Sequence, residues 1–137
     1  MENRLIKELA GEFVKDSGVI AVYLFGSATN KFFGSHSDID LAILLREPSE
    51  YRKPLALSAR ASLVLRSDRI DILILNRAPV FLRFRVLQEG TLLMCQDEMM
   101  LADFVESTLR DHFDFKHHLD IFYKEYQYSL RETYGTR

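Results

Sequence analysis

Three stretches of the chain are almost wholly apolar: Val19 to Phe25, Ile39 to Leu45 and Arg69 to Leu75. Short apolar runs bounded by Gly, Ser and Asp read as β-strands. Upstream, Leu5, Ile6, Leu9, Phe13 and Val14 recur at helical spacing and Asp16-Ser17-Gly18 stops the pattern, which predicts an amphipathic helix of about four turns. The connection from Gly26 to Ser37 is rich in Gly, Ser and Asn but contains Phe32 and Phe33, so it reads as a partly structured flap whose aromatics cover the core more readily than they stack on a base. Pro48 and Pro54 bracket a turn, and Leu57, Ala61, Val64 and Leu65 then keep a helical period that ends near Arg66. After Asn76 and Pro79 come a short basic helix, Val80 to Glu89, then Gly90 and a brief strand, Leu92 to Cys95. From Glu98 to Glu132, Leu101, Val105, Leu109, Phe113, Leu119, Phe122, Tyr126 and Leu130 suit one long helix or two shorter ones.

This order of elements predicts an α/β (α+β) fold with a small mixed sheet flanked by helices. The strand from Ile39 is expected at its centre, with a site open on one face. A core over residues 1–97 and a C-terminal helical extension over 98–137, packed on that core, would form a single domain.

The apolar runs carry acids. Asp38 and Asp40 sit at the start of the second run and Asp71 in the third. Successive strand residues point to opposite faces, so Asp38 and Asp40 share one face and can reach one metal. A carboxylate inside an apolar strand costs several kcal/mol unless it is paired, hydrogen-bonded or bound to a cation, in the range of about 2 to 7 for buried polar groups and above for charges. Magnesium takes hard oxygen ligands from one or two carboxylates plus substrate phosphates. Asp71, on another strand, would complete a two-metal clamp and orient or deprotonate an attacking hydroxyl. Gly26-Ser27 closes the first strand, where a glycine lets backbone amides approach phosphate oxygens and the Ser27 hydroxyl adds a donor.

Gly26-Ser27, ten intervening residues, Asp38-Ile39-Asp40 and the later strand acid Asp71 resemble the nucleotidyltransferase signature of the DNA polymerase beta superfamily. Within it, a chain this short is similar to the minimal nucleotidyltransferase antitoxins (MNT, or MntA-type) that pair with HEPN toxins. The likeness spans Val19 to Leu75 by motif and reaches about Cys95 by element order. It departs from the family at Thr29-Asn30-Lys31, where many members carry Ala-Arg-Gly, so the basic residue is displaced by one and Lys31 becomes the candidate cation. The resemblance implies a polymerase-beta-like fold, metal binding and catalysis by Asp38, Asp40 and Asp71, and a nucleotide triphosphate held by Gly26, Ser27, Lys31 and Ser37. It further implies two Mg²⁺ ions, ATP as the AMP donor, and a tyrosine of the cognate HEPN toxin as acceptor. Stable binding of the toxin without catalysis is a competing role, favoured by the aromatic acidic tail and disfavoured by the retained carboxylates. Transfer to a small molecule is less favoured, because such enzymes generally carry an additional acceptor-binding domain.

Composition narrows this picture without redirecting it. The chain has 137 residues, 47% hydrophobic and 28% charged, and a net charge of −2 that argues against direct nucleic-acid binding by overall attraction. Charge is uneven: nine basic and four acidic residues lie between Arg46 and Arg85, five basic and ten acidic between Val86 and Arg137. The middle suits a triphosphate and the tail a basic partner, unless both are simply solvated helix faces. No apolar stretch suggests a membrane span or secretory signal, so a cytoplasmic protein is expected, with a homo-oligomer left open. Cys95, without a partner for a disulfide or zinc, reads as a buried strand-end residue. His112, His117 and His118 lack companions at metal-ligand spacing and are expected on an exposed helix face; His36, beside Ser37-Asp38, reads as a turn residue. Arg110 and His117 mimic the arginine-histidine spacing of HEPN ribonucleases, but in one terminal helix beside a complete nucleotidyltransferase signature that match is set aside. Phe115, Tyr123, Tyr128 and Tyr134 exceed what one packed stripe uses, which points to an interface, although core packing is expected to absorb most of the tail aromatics.

Overall fold

The computed structural model describes residues 2–26, 39–47 and 53–133. In chain order they form α1 (Glu2–Val14), β1 (Val19–Phe25), β2 (Ile39–Leu45), α2 (Lys53–Leu65), β3 (Ile70–Ile74), a 3-10 turn (Leu75–Arg77), α3 (Val80–Glu89), β4 (Thr91–Cys95) and α4 (Glu98–Thr133). The four strands make one mixed sheet in the order β3-β2-β1-β4, with β1 antiparallel to β2 and β4, and β2 parallel to β3.

Helices cover both faces. Leu9 and Phe13 of α1 and Leu57, Ala61 and Leu65 of α2 pack with Val22, Leu24, Leu41 and Ile43 on one side. On the other, Val86 and Leu87 of α3 and Leu101 and Phe104 of α4 pack with Tyr23, Ala42, Leu44 and Leu73. This explains why the first two strands read as unbroken apolar runs: covered from both sides, they bury every residue except Phe25 and Asp40.

The strand limits expected for β1 and β2 and the span of α3 are those observed. Pro54, expected to bound the segment before the helix, lies in the first turn of α2, where its missing N–H would have had no helical partner. The third strand stops at Ile74 because the chain turns at Leu75. Asn76 then clamps the end of β2, its Oδ1 accepting from Leu45 N at 2.8 Å and its Nδ2 donating to Leu45 O at 2.9 Å. Val14, one of the residues recurring at helical spacing, is exposed at the last position of α1. Helix α4 is a single element of 36 residues, about 54 Å long at 1.5 Å per residue. Thr108 is its last fully buried residue, and from Phe113 onward every described side chain is exposed, so core packing does not absorb the tail aromatics. No helix among the described residues is long and apolar enough to cross a membrane.

Polar contacts tie the layers together away from the carboxylate end of the sheet. Asp97 caps α4, accepting from Met100 N at 3.1 Å, and pairs with Arg46 Nη1 at 3.0 Å at the end of β2. Asp16, between α1 and β1, pairs with Lys53 Nζ at 2.6 Å and Arg60 Nη1 at 3.5 Å on α2 and accepts from Gly18 N at 2.9 Å. Partial burial pushes the Asp16 carboxyl up, but the Lys53 and Gly18 hydrogen bonds and the two cations outweigh it and hold the group below its ordinary value. A carboxyl that titrates lower in the fold than in the unfolded chain stabilises fully above the ordinary carboxylate range of about pH 4, and this contribution fades as pH falls through the folded value. Asp16→Asn is therefore expected to lower Tm at pH 7, and the gap between wild type and variant to narrow steadily in melts recorded from pH 5 down to pH 3.

Candidate active site

One end of the sheet gathers the candidate chemistry. The β1–β2 ladder sets Phe25 opposite Asp40, and the parallel β2–β3 ladder sets Asp40 opposite Asp71, anchored by Ile39 N donating to Arg69 O at 2.8 Å. Residues paired across neighbouring strands share a face, so Phe25, Asp40 and Asp71 form a row. The alternation along β2 puts Asp40 on the side of Ala42 and Leu44, under α3 and α4, and Asp71 lies with Leu73 on that side. Asp40 is half-buried and Asp71 exposed. Neighbouring strands are about 4.8 Å apart, so the two carboxylates stand where like charges repel and where a cation between them is favoured.

Gly26 completes the corner. Its φ is +80°, a conformation that side-chain-bearing residues rarely adopt. A Cβ there would collide with Asp40 Oδ2 and lie 3.2 Å from Asp40 Cγ. The glycine thus serves the turn and also lets the backbone lie directly against the Asp40 carboxylate. The donor set fits a hard divalent ion: two carboxylates in register on adjacent strands, one of them in an otherwise buried strand.

Of the residues singled out from sequence, Gly26, Asp40 and Asp71 are brought together. Ser27, Lys31, Ser37 and Asp38 lie outside the described residues, as do Phe32, Phe33 and His36. Among the described residues no third His, Cys, Asp or Glu joins the pair to make a larger metal-ligating group. A cavity of about 940 Å³ opens on the α1 and α2 side, lined in part by Leu5, Ile39, Ser62, Arg66 and Arg69, and the carboxylates are not among its lining residues.

Two contributors escaped the sequence reading. Phe25 reads as an ordinary strand residue until the register places it beside Asp40. Gly90 brings the end of α3 onto β1, and a Cβ there would lie 2.6 Å from Val86 O and 3.3 Å from Leu24 O. Its position between a helix and a strand was the available signal, but closeness to Leu24 is a tertiary fact. The histidines also need a correction. His117 and His118 are exposed, whereas His112 is half-buried and stacks face-on against Phe84, with ring centroids 3.6 Å apart and planes 3° from parallel. The α4 stripe that faces α3 includes position 112, so its ring is drawn into the seam. Arg110 is engaged by Glu106 at 3.1 Å on the helix surface.

The model of the family "Polymerase beta, Nucleotidyltransferase" matches residues 7–99. Among solved structures, a chain in the complex of a tri-AMPylated Shewanella oneidensis HEPN toxin with MNT antitoxin superposes with a TM-score of 0.69 at 19% identity, covering 93% of this chain and 99% of that one. A toxin-antitoxin structure with AMP-PNP gives 0.68 at 20% identity and the same coverage. The toxin-antitoxin MntA-HepT gives 0.65 at 20% identity, covering 90% of this chain and 98% of that one. No curated protein matches the chain significantly.

Gly26→Ala is expected to destabilise the protein by at least about 1 kcal/mol, through the left-handed backbone alone, and further through displacement of the Asp40 carboxylate. Chemical denaturation of the two proteins measures the difference; equal midpoints would mean that the corner is more open than described.

Proposed function

The chain belongs to the polymerase beta nucleotidyltransferase family, and on that premise we propose that it is an antitoxin of the MNT type, a cytoplasmic Mg²⁺-dependent enzyme that transfers AMP from ATP to a tyrosine of a cognate HEPN toxin. The observation that carries the reading is the in-register pair Asp40 and Asp71 beside the positive-φ Gly26. A structural protein would gain nothing from two carboxylates opposite each other at a sheet end. The likeness in fold to chains from toxin complexes containing AMP-PNP or an AMPylated toxin supports the choice of nucleotide and acceptor.

In this reading Asp38, Asp40 and Asp71 hold the metal, and Gly26, Ser27, Lys31 and Ser37 hold the triphosphate. Bound Mg²⁺ supplies Lewis-acid stabilisation of the negative charge at the α-phosphate and on the leaving pyrophosphate. The acceptor hydroxyl oxygen forms a bond to the α-phosphorus while the bond from that phosphorus to the β-phosphate bridging oxygen breaks. Asp71, exposed at the open end of the row, orients the acceptor and takes its proton. Asp40, seated against Gly26, has the more restricted position.

Incubating the cognate HEPN toxin of this reading with wild type, Mg²⁺ and ATP is expected to raise the toxin's intact mass by whole AMP units. Asp40→Asn and Asp71→Asn should each lower the rate at least about 10²-fold while keeping the fold. An unchanged mass despite a stable complex would replace the enzyme by a binding antitoxin. In a separate thermal-shift series without toxin, Mg²⁺ is expected to raise the wild-type Tm, EDTA to reverse the rise, and Asp40→Asn to lose most of it. A wild-type Tm indifferent to Mg²⁺ would remove the metal from the reading.

A further inference from the structure

Helix α4 packs through one stripe and then outruns the core. Leu101, Phe104, Thr108 and His112 recur every three or four residues: the first two join the core under α3, Thr108 is fully buried, and His112 stacks on Phe84. The same stripe continues at the same spacing through Phe115, Leu119, Phe122, Tyr126 and Leu130, where none of the described residues covers it. This uncovered part, residues 113–133, is about 31 Å long at 1.5 Å per residue.

In proteins most of a helix's stability comes from packing an apolar face rather than from propensity, and the described residues leave this face without such packing. That face is broad. Tyr123 widens the stripe, so that Leu119, Phe122, Tyr123, Tyr126 and Leu130, all between 37% and 58% exposed, span three positions across rather than two. A two-wide seam suits one partner helix; a three-wide face suits a helix lying between two. Its charges nearly cancel: from Asp114 to Glu132 four acids and three bases alternate in sign along the chain. Recognition by this arm is therefore apolar and aromatic.

We propose that residues 113–133 of α4 are the docking arm of the antitoxin, received by the HEPN toxin in an apolar trough between two helices. This rests on the antitoxin reading above. Continuity favours that occupant: the stripe that seats α4 on α3 and the sheet runs unbroken into the arm, so a partner's helices would extend the packing already made. A second copy of this chain, the competing occupant, would have to meet a three-wide face with another single helix.

The test is calorimetric titration of the full chain with the cognate HEPN toxin of that reading, at 150 and 500 mM NaCl, for wild type, the double variant F122E/Y126E and Lys124→Glu on the polar side of the arm. Wild type and Lys124→Glu are expected to bind alike, with Kd changing less than about threefold between the two salts, as an apolar contact requires. F122E/Y126E is expected to lose at least 100-fold in Kd while keeping wild-type Tm and ATP binding by the core. An unchanged Kd for the double variant overturns the arm and leaves the antitoxin reading standing. Failure of wild type to form any complex overturns that reading itself. A wild-type dimer in light scattering that F122E/Y126E dissolves, with toxin affinity unaltered, assigns the arm to a second copy and overturns the proposal.

Discussion

Because β2 and β3 pair in parallel with Ile39 opposite Ile70, Asp40 has no choice but to face Asp71. A slip of one residue would carry Asp71 to the other side of the sheet, among the aliphatic side chains beneath α2. The register is held from three directions. Ile39 N donates to Arg69 O at the site end, Asn76 grips Leu45 at the far end, and α2, buried through Leu57, Ala61 and Leu65, spans the crossover between the two strands. The chemistry is concentrated at one end of this arrangement and the Asn76 clamp stands at the other.

Burial on both faces makes the arrangement expensive to perturb. Strand β2 is apolar and covered except at Asp40, so the carboxylate stands out against a background that fixes the strand in one rotation. Gly26 meets that carboxylate with bare backbone, and Gly90 lets α3 approach the same end of β1. Two glycines thus remove side chains where the sheet end is crowded, leaving room for polar groups to converge. The exposed Asp71 and the half-buried Asp40 differ in surroundings although they are paired, which is the condition for carboxylates of one pair to take separate roles.

Much of this was legible in the chain. The apolar runs of β1 and β2 are covered from both sides and so announce their own ends, and the acids within them could be singled out by contrast with their neighbours. What the pattern could not carry was pairing. Which strand lies beside which, and hence that Phe25 and Asp71 flank Asp40, depends on the parallel crossover and its register, which hydrophobic periodicity does not encode. His112 misled because aromatic stacking on Phe84 overrides the polar reading of a histidine. The long apolar period of α4 correctly predicted a helix, yet the period alone does not distinguish a stripe facing the chain's own core from one facing another molecule.

The seam between α3 and α4 has a mechanical consequence. Beyond His112, α4 is one uninterrupted helix, and a helix of that length tilts rather than bends when force is applied at its tip. A tilt of about 10° about the Phe84–His112 contact would sweep the far end through about 5 Å, from about 31 Å of helix. The short side of this lever is the packed part of α4 itself, whose Leu101, Phe104 and Thr108 are seated against the sheet and α3. A load on the long arm is therefore borne by the cluster that also holds Tyr23, Ala42 and Leu73, on the strands that carry Phe25, Asp40 and Asp71.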